Sequence, residues 1–134
     1  MKKEGVFRIL DVNLNRAGEG LRVIEDIVRF VEEDEVLYGR LRRIRHGITG
    51  VLREAYPQLI FSRDSEKDIA LPRKEKKRRN TGEIAYSNFR RVEEALRVLE
   101  EFSKLVSGSA GYRFKRLRFR VYAVEKEYFR KLKA

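Results

Sequence analysis

The chain has 134 residues, no cysteine, one histidine and a net charge of +11, with 40% of its residues charged. That length makes one domain with room for a real core. The composition excludes disulfides, thiolate chemistry and, within one chain, a zinc site or a histidine-based triad.

A field of this sign attracts anions: nucleic acid, nucleotides, phosphorylated metabolites or anionic lipid. The opening "MKKEGVFRIL" carries no long apolar run. No signal peptide or membrane span is expected, and the expected location is cytoplasmic. Abundant charge beside a single Met and a single Gln, Gln58, predicts a heat-adapted source with ion-pair networks on the surface.

In chain order, Phe7, Leu10, Leu14, Ala17, Leu21, Ile24 and Val28 step by three and four and predict a first helix over about residues 6–33. Leu37, Leu41, Ile44, Ile48, Val51 and Ala55 predict a second, ending before Pro57. Residues 57–82 read as a long linker loop. Its "RDSEKD" portion reads as ordered, and its basic run Arg73–Arg79 as a solvated arm. Ile84, Val92, Ala95, Leu99, Phe102 and Val106 predict a third helix, broken by "SGSAG" at Ser107–Gly111. Phe114, Leu117, Val121, Val124, Tyr128 and Leu132 predict the fourth.

"NLNRAGEGLRVIEDIVRFV", from Asn13, recurs as "NFRRVEEALRVLEEFSKLV", from Asn88. The copies share Asn13/Asn88, Arg16/Arg91, Glu19/Glu94, Leu21/Leu96, Arg22/Arg97, Val23/Val98, Glu25/Glu100 and Val31/Val106. The following helices match as well, Ile44-Arg45 with Leu117-Arg118, and Ile48 and Val51 with Val121 and Val124. The repeated unit is therefore a hairpin, at about 6–56 and 83–133. Two hairpins with one apolar side each can cover one another. The expected fold is all-α: a single domain, 1–134, forming a four-helix bundle of two pseudo-two-fold-related hairpins with a long central loop.

Asn13, Arg16, Glu19, Arg22 and Glu25 stand every third residue, and the second copy repeats the ladder. A step of three drifts back by about 60° on a helix, so the five cannot face one point. Neighbouring members can pair at i,i+3, and a salt-bridge ladder is the plain structural reading of Glu19 and Arg22. Asn13 falls on the apolar stripe, and a buried amide needs hydrogen-bond partners. The two Asn are expected to meet near the pseudo-axis or line a shared cavity; the alternative is a polar pin fixing helix register. Gly18 and Gly20 depart from the repeat, where copy two has Glu93 and Ala95. Close helix packing or room for a ligand would explain Gly20.

The chemistry on offer is arginine with carboxylate and amide. No phosphate-cradling Gly-rich loop, RNA-recognition motif or DNA-reading helix-turn-helix is present. Arginine captures phosphate in planar, bidentate fashion. In "SRDSEKD", Arg63 with Asp64 and Asp68 could hold Mg²⁺ together with a phosphate, or form a locally capped charged turn.

"RILDVNLNRAGEGLRVIEDIVRF", "RDSEKDIA", "NFRRVEEALRVLEEFSKL" and "RLRFRVYAVE" together resemble a small helical family found alone or fused N-terminally to thiamine phosphate synthase. The resemblance runs from about Arg8 to Glu125. It implies hydroxymethylpyrimidine-phosphate kinase activity, with the γ-phosphoryl of ATP passing to the monophosphate in thiamine biosynthesis. Mg²⁺ with ATP is the expected cofactor on the chemistry of phosphoryl transfer, and thiamine phosphate synthase is among the expected partners. Two departures stand out. The family loop reads Arg-Asp-x-x-x-Asp-Val-Gly, and here it ends Asp68-Ile69-Ala70; position 18, often charged in relatives, is Gly.

An ionised phosphate acceptor needs no strong general base, so positioning and charge cancellation carry the reaction. On that chemistry Arg16, Arg91 and Asp64 are the expected catalytic groups. Asn13, Asn88, Arg45, Arg63, Arg118, Arg22 and Arg97 are expected to bind substrate and nucleotide. Asp64, Asp68, Glu19 and Glu94 are expected to hold the metal. The rival readings are a basic nucleic-acid-binding module, resting on the charge, the basic arm and the last helix, and a non-catalytic partner of a thiamine-synthesis enzyme. The duplicated Asn and Glu disfavour the first. A homodimer is the expected assembly.

Overall fold

The computed structural model describes residues 3–133, which are mostly helical and contain no strand. Helix α1 runs Lys3–Asp26 and continues as a π turn, Ile27–Val31; α2 runs Glu35–Val51; α3 runs Tyr56–Ser62; α4 runs Thr81–Phe102; α5 runs Ala110–Lys133. No helix among them is long and apolar enough to cross a membrane.

Local chemistry sets the starts. Asp34 caps α2, accepting from Leu37 N–H at 3.0 Å, and Asn80 caps α4, accepting from Glu83 N–H at 2.8 Å. Glu83 reaches back to accept from Arg79 N–H at 2.8 Å. Pro57 does not end the helical region as its position suggested. It sits in the first turn of α3, where its missing N–H leaves nothing unsatisfied. The expected loop over 57–82 is thus shortened by α3 and by a single 3₁₀ turn at Ser65–Lys67.

The four long helices pack in a ring, α1 on α4, α4 on α5, α5 on α2 and α2 on α1, with the α1–α4 contact the most extensive. Leu10, Ala17, Leu21 and Ile24 meet Phe89, Val92, Leu96 and Leu99, and α2 and α5 add Leu41, Ile48, Phe114 and Val121. These are the apolar stripes the periodicity marks. Gly20 explains the tightness of the α1–α4 seam. A Cβ there would lie 2.7 Å from Val92 Cγ2 and 3.4 Å from the Asn88 carbonyl oxygen. Close packing accounts for this glycine.

One buried ion pair binds each hairpin to itself. Arg45 of α2 donates through Nε and Nη2 to the fully buried carboxylate of Glu25 on α1, at 2.5 and 3.0 Å. Arg118 of α5 donates likewise to Glu100 Oε1 on α4, at 2.8 and 3.2 Å. Glu25, a member of the every-third-residue ladder, lies inside the core.

Another buried carboxyl on α4 has no arginine of this quality. Glu93 of α4 is 4% exposed, faces Glu125 of α5, and stands 3.9 Å from Arg90. Burial, and then the neighbouring Glu125, push its pKa up to about 8 from an ordinary 4.5. Between those values the folded chain keeps a proton that the unfolded chain releases, so stability falls as pH rises through this window. Glu93→Gln cannot ionise. In thermal melts its midpoint is expected to match the parent near pH 5 and to exceed it by several degrees near pH 8.5. Parallel curves for the two proteins across that range would contradict the assignment.

Candidate functional site

Two cavities border α1. The first, about 210 Å³, is lined by Arg8, Asp11, Val12, Asn15 and Glu19 of α1 with Arg63, Asp64, Ser65 and Asp68 of the loop after α3. Because α3 packs on α1, the loop that follows is delivered to this face. Arg63 fixes it there, donating through Nε and Nη2 to Asp11 at 2.8 and 2.9 Å. Those hydrogen bonds hold the Arg63 guanidinium above the usual arginine range, against the opposing effect of burial; Glu19 adds to the same direction. Asp68 Oδ1 accepts from Ala70 N–H at 2.8 Å, which shapes the turn. Glu33 is the only non-glycine residue with positive φ among those described, so Ala70 bears no backbone strain where the family pattern has Gly.

The second cavity, about 340 Å³, lies in the α1–α4 seam. It is lined by Asn13 and Arg16 of α1, Arg91, Glu94, Ala95 and Val98 of α4, and Glu75 of the basic run. Arg16 Nη1 donates to Asn13 Oδ1 at 3.4 Å. Arg91 is paired with Glu75, the single acid between Arg73 and Arg79. The basic run is exposed along most of its length yet is tied down at this point and at Arg79–Glu83. Glu19 and Arg16, three residues apart, put the two cavities on neighbouring faces of α1.

The sequence expectations divide accordingly. Glu19, Arg63, Asp64 and Asp68 share the first cavity; Asn13, Arg16, Arg91 and Glu94 share the second. The two Asn do not meet. Each amide donates to the carbonyl four residues back in its own helix, Asn13 to Ile9 and Asn88 to Ile84, both at 2.8 Å. Asn88 sits against Gly20 instead of lining the Arg16–Arg91 cavity. The reason is that α1 and α4 run antiparallel: equivalent residues near the crossing, such as Arg16 and Arg91, meet, whereas Asn13 and Asn88 lie further from it and are carried apart along the seam.

Arg45 and Arg118 are held by Glu25 and Glu100 and line neither cavity. Arg97 pairs with Glu100 and Glu101 at 3.0 and 3.4 Å, while Arg22 is exposed. Both oxygens of Glu25 are already taken by Arg45, so the ladder pair forms only in copy two. Asp11 and Glu75 were not among the expected site residues. Asp11 lies in the motif stretch just before Asn13, and Glu75 is the lone acid of a basic run; those were the available signals.

Among the described residues no group of three His, Cys, Asp or Glu side chains is close enough to enclose a metal ion. Magnesium needs fewer protein ligands, since one or two carboxylates suffice when phosphate oxygens and water complete the octahedron. Asp64, Glu19 and Asp68 around one cavity fit that donor set.

The class is an all-helical bundle of two helical hairpins with an arginine-lined cavity in the seam between them. The chain belongs to the ThiD2 family, which matches residues 8–127. It is 41% identical over 124 residues to a thiamine-phosphate synthase of Nostoc sp. strain PCC 7120, covering 90% of this chain and 34% of that protein. The Synechocystis sp. thiamine-phosphate synthase is 39% identical over 123 residues, 90% of this chain and 35% of that one. The one from Rhodopirellula baltica is 36% identical over 126 residues, 91% and 34%. The chain thus spans about a third of the length of these relatives. No solved structure matches it.

The Asp11–Arg63 pair is the tether of the first cavity. In Asp11→Asn, amide hydrogen exchange at Asp68, Leu71 and Arg73, whose N–H groups close the loop's turns, is expected to speed up at least several-fold. Amides in α4 and α5 should keep their protection. Unchanged exchange in the loop would show that Asp11 does not anchor it.

Proposed function

We propose that the chain transfers the γ-phosphoryl group of ATP to hydroxymethylpyrimidine phosphate, giving the diphosphate used in thiamine biosynthesis. The observation that carries this reading is the seam cavity, in which Arg16 and Arg91, equivalent residues of the two repeat copies, stand beside Asn13 next to a carboxylate-lined pocket. Membership of the ThiD2 family, and relatives named thiamine-phosphate synthase, support the thiamine setting.

In this reading Arg16 and Arg91 hold the phosphates that react. Two guanidiniums from facing helices neutralise charge at fixed positions, and they do so without reorganising as the transition state forms. Asn13, held by Ile9 and touching Arg16, orients that guanidinium or meets the aminopyrimidine. Arg63 and Asp64 face the nucleotide from the loop. Asp64 with Glu19 or Asp68 would hold Mg²⁺, which would supply charge neutralisation. On binding, Arg91 exchanges its Glu75 partner for a ligand phosphate.

The test combines purified protein, ATP, Mg²⁺ and the pyrimidine monophosphate, with diphosphate and ADP measured directly. The parent is expected to turn over. Arg16→Gln and Arg91→Gln are each expected to lose at least about a hundredfold in kcat/KM, the usual loss for a group aimed at transition-state charge. Both residues are exposed, so the folded state should be kept. Folded parent protein that forms no product at any temperature, yet binds thiamine-phosphate synthase, would replace this reading with that of a non-catalytic partner.

A further inference from the structure

Helices α2 and α5 meet on the side of the ring opposite the α1–α4 seam. Two depressions run along their junction. The wider, about 480 Å³, is walled by Arg40, Arg43 and Arg120 over a floor of Ile44, Ala123 and Val124. The narrower, about 190 Å³, is walled by Arg113, Arg116 and Arg120. No carboxylate lines either, and none of the five guanidiniums has an acidic partner among the described residues.

The repeat reaches these residues. Arg40-x-x-Arg43-Ile44-Arg45 recurs as Arg113-x-x-Arg116-Leu117-Arg118. The last arginine of each set is the hairpin clamp, spent on Glu25 or Glu100. The first two are left free and line the depressions. Like charges three and four residues apart repel along a helix. The chain has 21 acidic residues, and not one is placed here to relieve that repulsion. Folding therefore gives no reason for the cluster, whereas an anion would.

The two halves are unequal. Gly47 stands where the second copy has Arg120, and Leu117 comes within 3.1 Å of where its Cβ would lie, which narrows that half. The wider half falls in the size range of small-molecule sites, roughly 300–1,000 Å³, and joins an apolar floor to three forked donors.

We propose that the α2–α5 junction is a second anion site, which takes a small organic phosphate. Its phosphate or diphosphate lies between Arg40, Arg43 and Arg120, and its organic body lies on Ile44, Ala123 and Val124. The site does not depend on the transfer reaction assigned to the opposite face.

Calorimetric titration of the full chain with inorganic pyrophosphate at fixed ionic strength tests it. Arg43→Gln/Arg120→Gln is compared with the charge-matched control Lys115→Gln/Lys126→Gln, and all four positions are exposed. The first pair is expected to remove one class of site or weaken it at least about tenfold, and the control to leave it intact. Arg16→Gln/Arg91→Gln should keep this site, and Arg43→Gln/Arg120→Gln should keep any phosphoryl transfer, so the two assignments fail separately. Equal losses in Arg43→Gln/Arg120→Gln and in the lysine control, or parental binding in Arg43→Gln/Arg120→Gln, would overturn the proposal. So would a single-stranded oligonucleotide that binds through Arg43 and Arg120 and is not displaced by pyrophosphate.

Discussion

A carboxylate inside an apolar core is tolerable only with a partner that answers its charge, and this molecule places one in each hairpin. Glu25 and Glu100 lie at core positions of α1 and α4, and each receives a two-pronged guanidinium from the following long helix, Arg45 or Arg118. Removing one partner of such a pair costs about 3–5 kcal/mol, because the survivor is left charged and unsolvated. Replacing the whole pair with apolar residues is often neutral, so its consequence here is geometric. The fork fits in one register, and that register sets how α1 lies on α2 and α4 on α5.

With the hairpins fixed internally, the rest of the layout follows. The apolar stripes close α1 onto α4, and Gly20 lets the two backbones approach at Val92. The antiparallel crossing brings Arg16 and Arg91 to one cavity while separating Asn13 from Asn88. The loop after α3 is then drawn onto α1 by Asp11 and Arg63, which puts Asp64 and Asp68 beside Glu19. A chain rich in arginine is sorted in this way into guanidiniums locked on buried glutamates, Arg45 and Arg118, and guanidiniums facing concave surface, among them Arg16 and Arg91, the latter paired only with the exposed Glu75. The second kind gives a net charge of +11 a local meaning.

The helices, their apolar faces and the hairpin repeat were legible in the sequence because a period of 3.6 survives any tertiary arrangement. Convergence was legible only in part. Arg63, Asp64, Asp68 and Glu19 do share a cavity, yet Glu94 went to the other one. The direction of helix crossing decides which equivalent residues meet, and nothing in a linear repeat encodes it; hence the mistaken pairing of the two Asn. Arg45 and Arg118 read as phosphate ligands because a buried glutamate and a surface glutamate look alike in a ladder. Pro57 was taken as a terminator although the first turn of a helix accepts it. Asp11 went unnoticed because its partner, Arg63, lies 52 residues away.

The account turns on which arginines are structural and which are free to hold a ligand. Side-chain NMR of the arginine Nε–H groups, followed while pyrophosphate is added, separates the two directly. Arg16 and Arg91 are predicted to shift and saturate, while Arg45 and Arg118 stay where they are throughout. Shifts at Arg45 or Arg118, or silence at Arg16 and Arg91 with ligand bound, would contradict it.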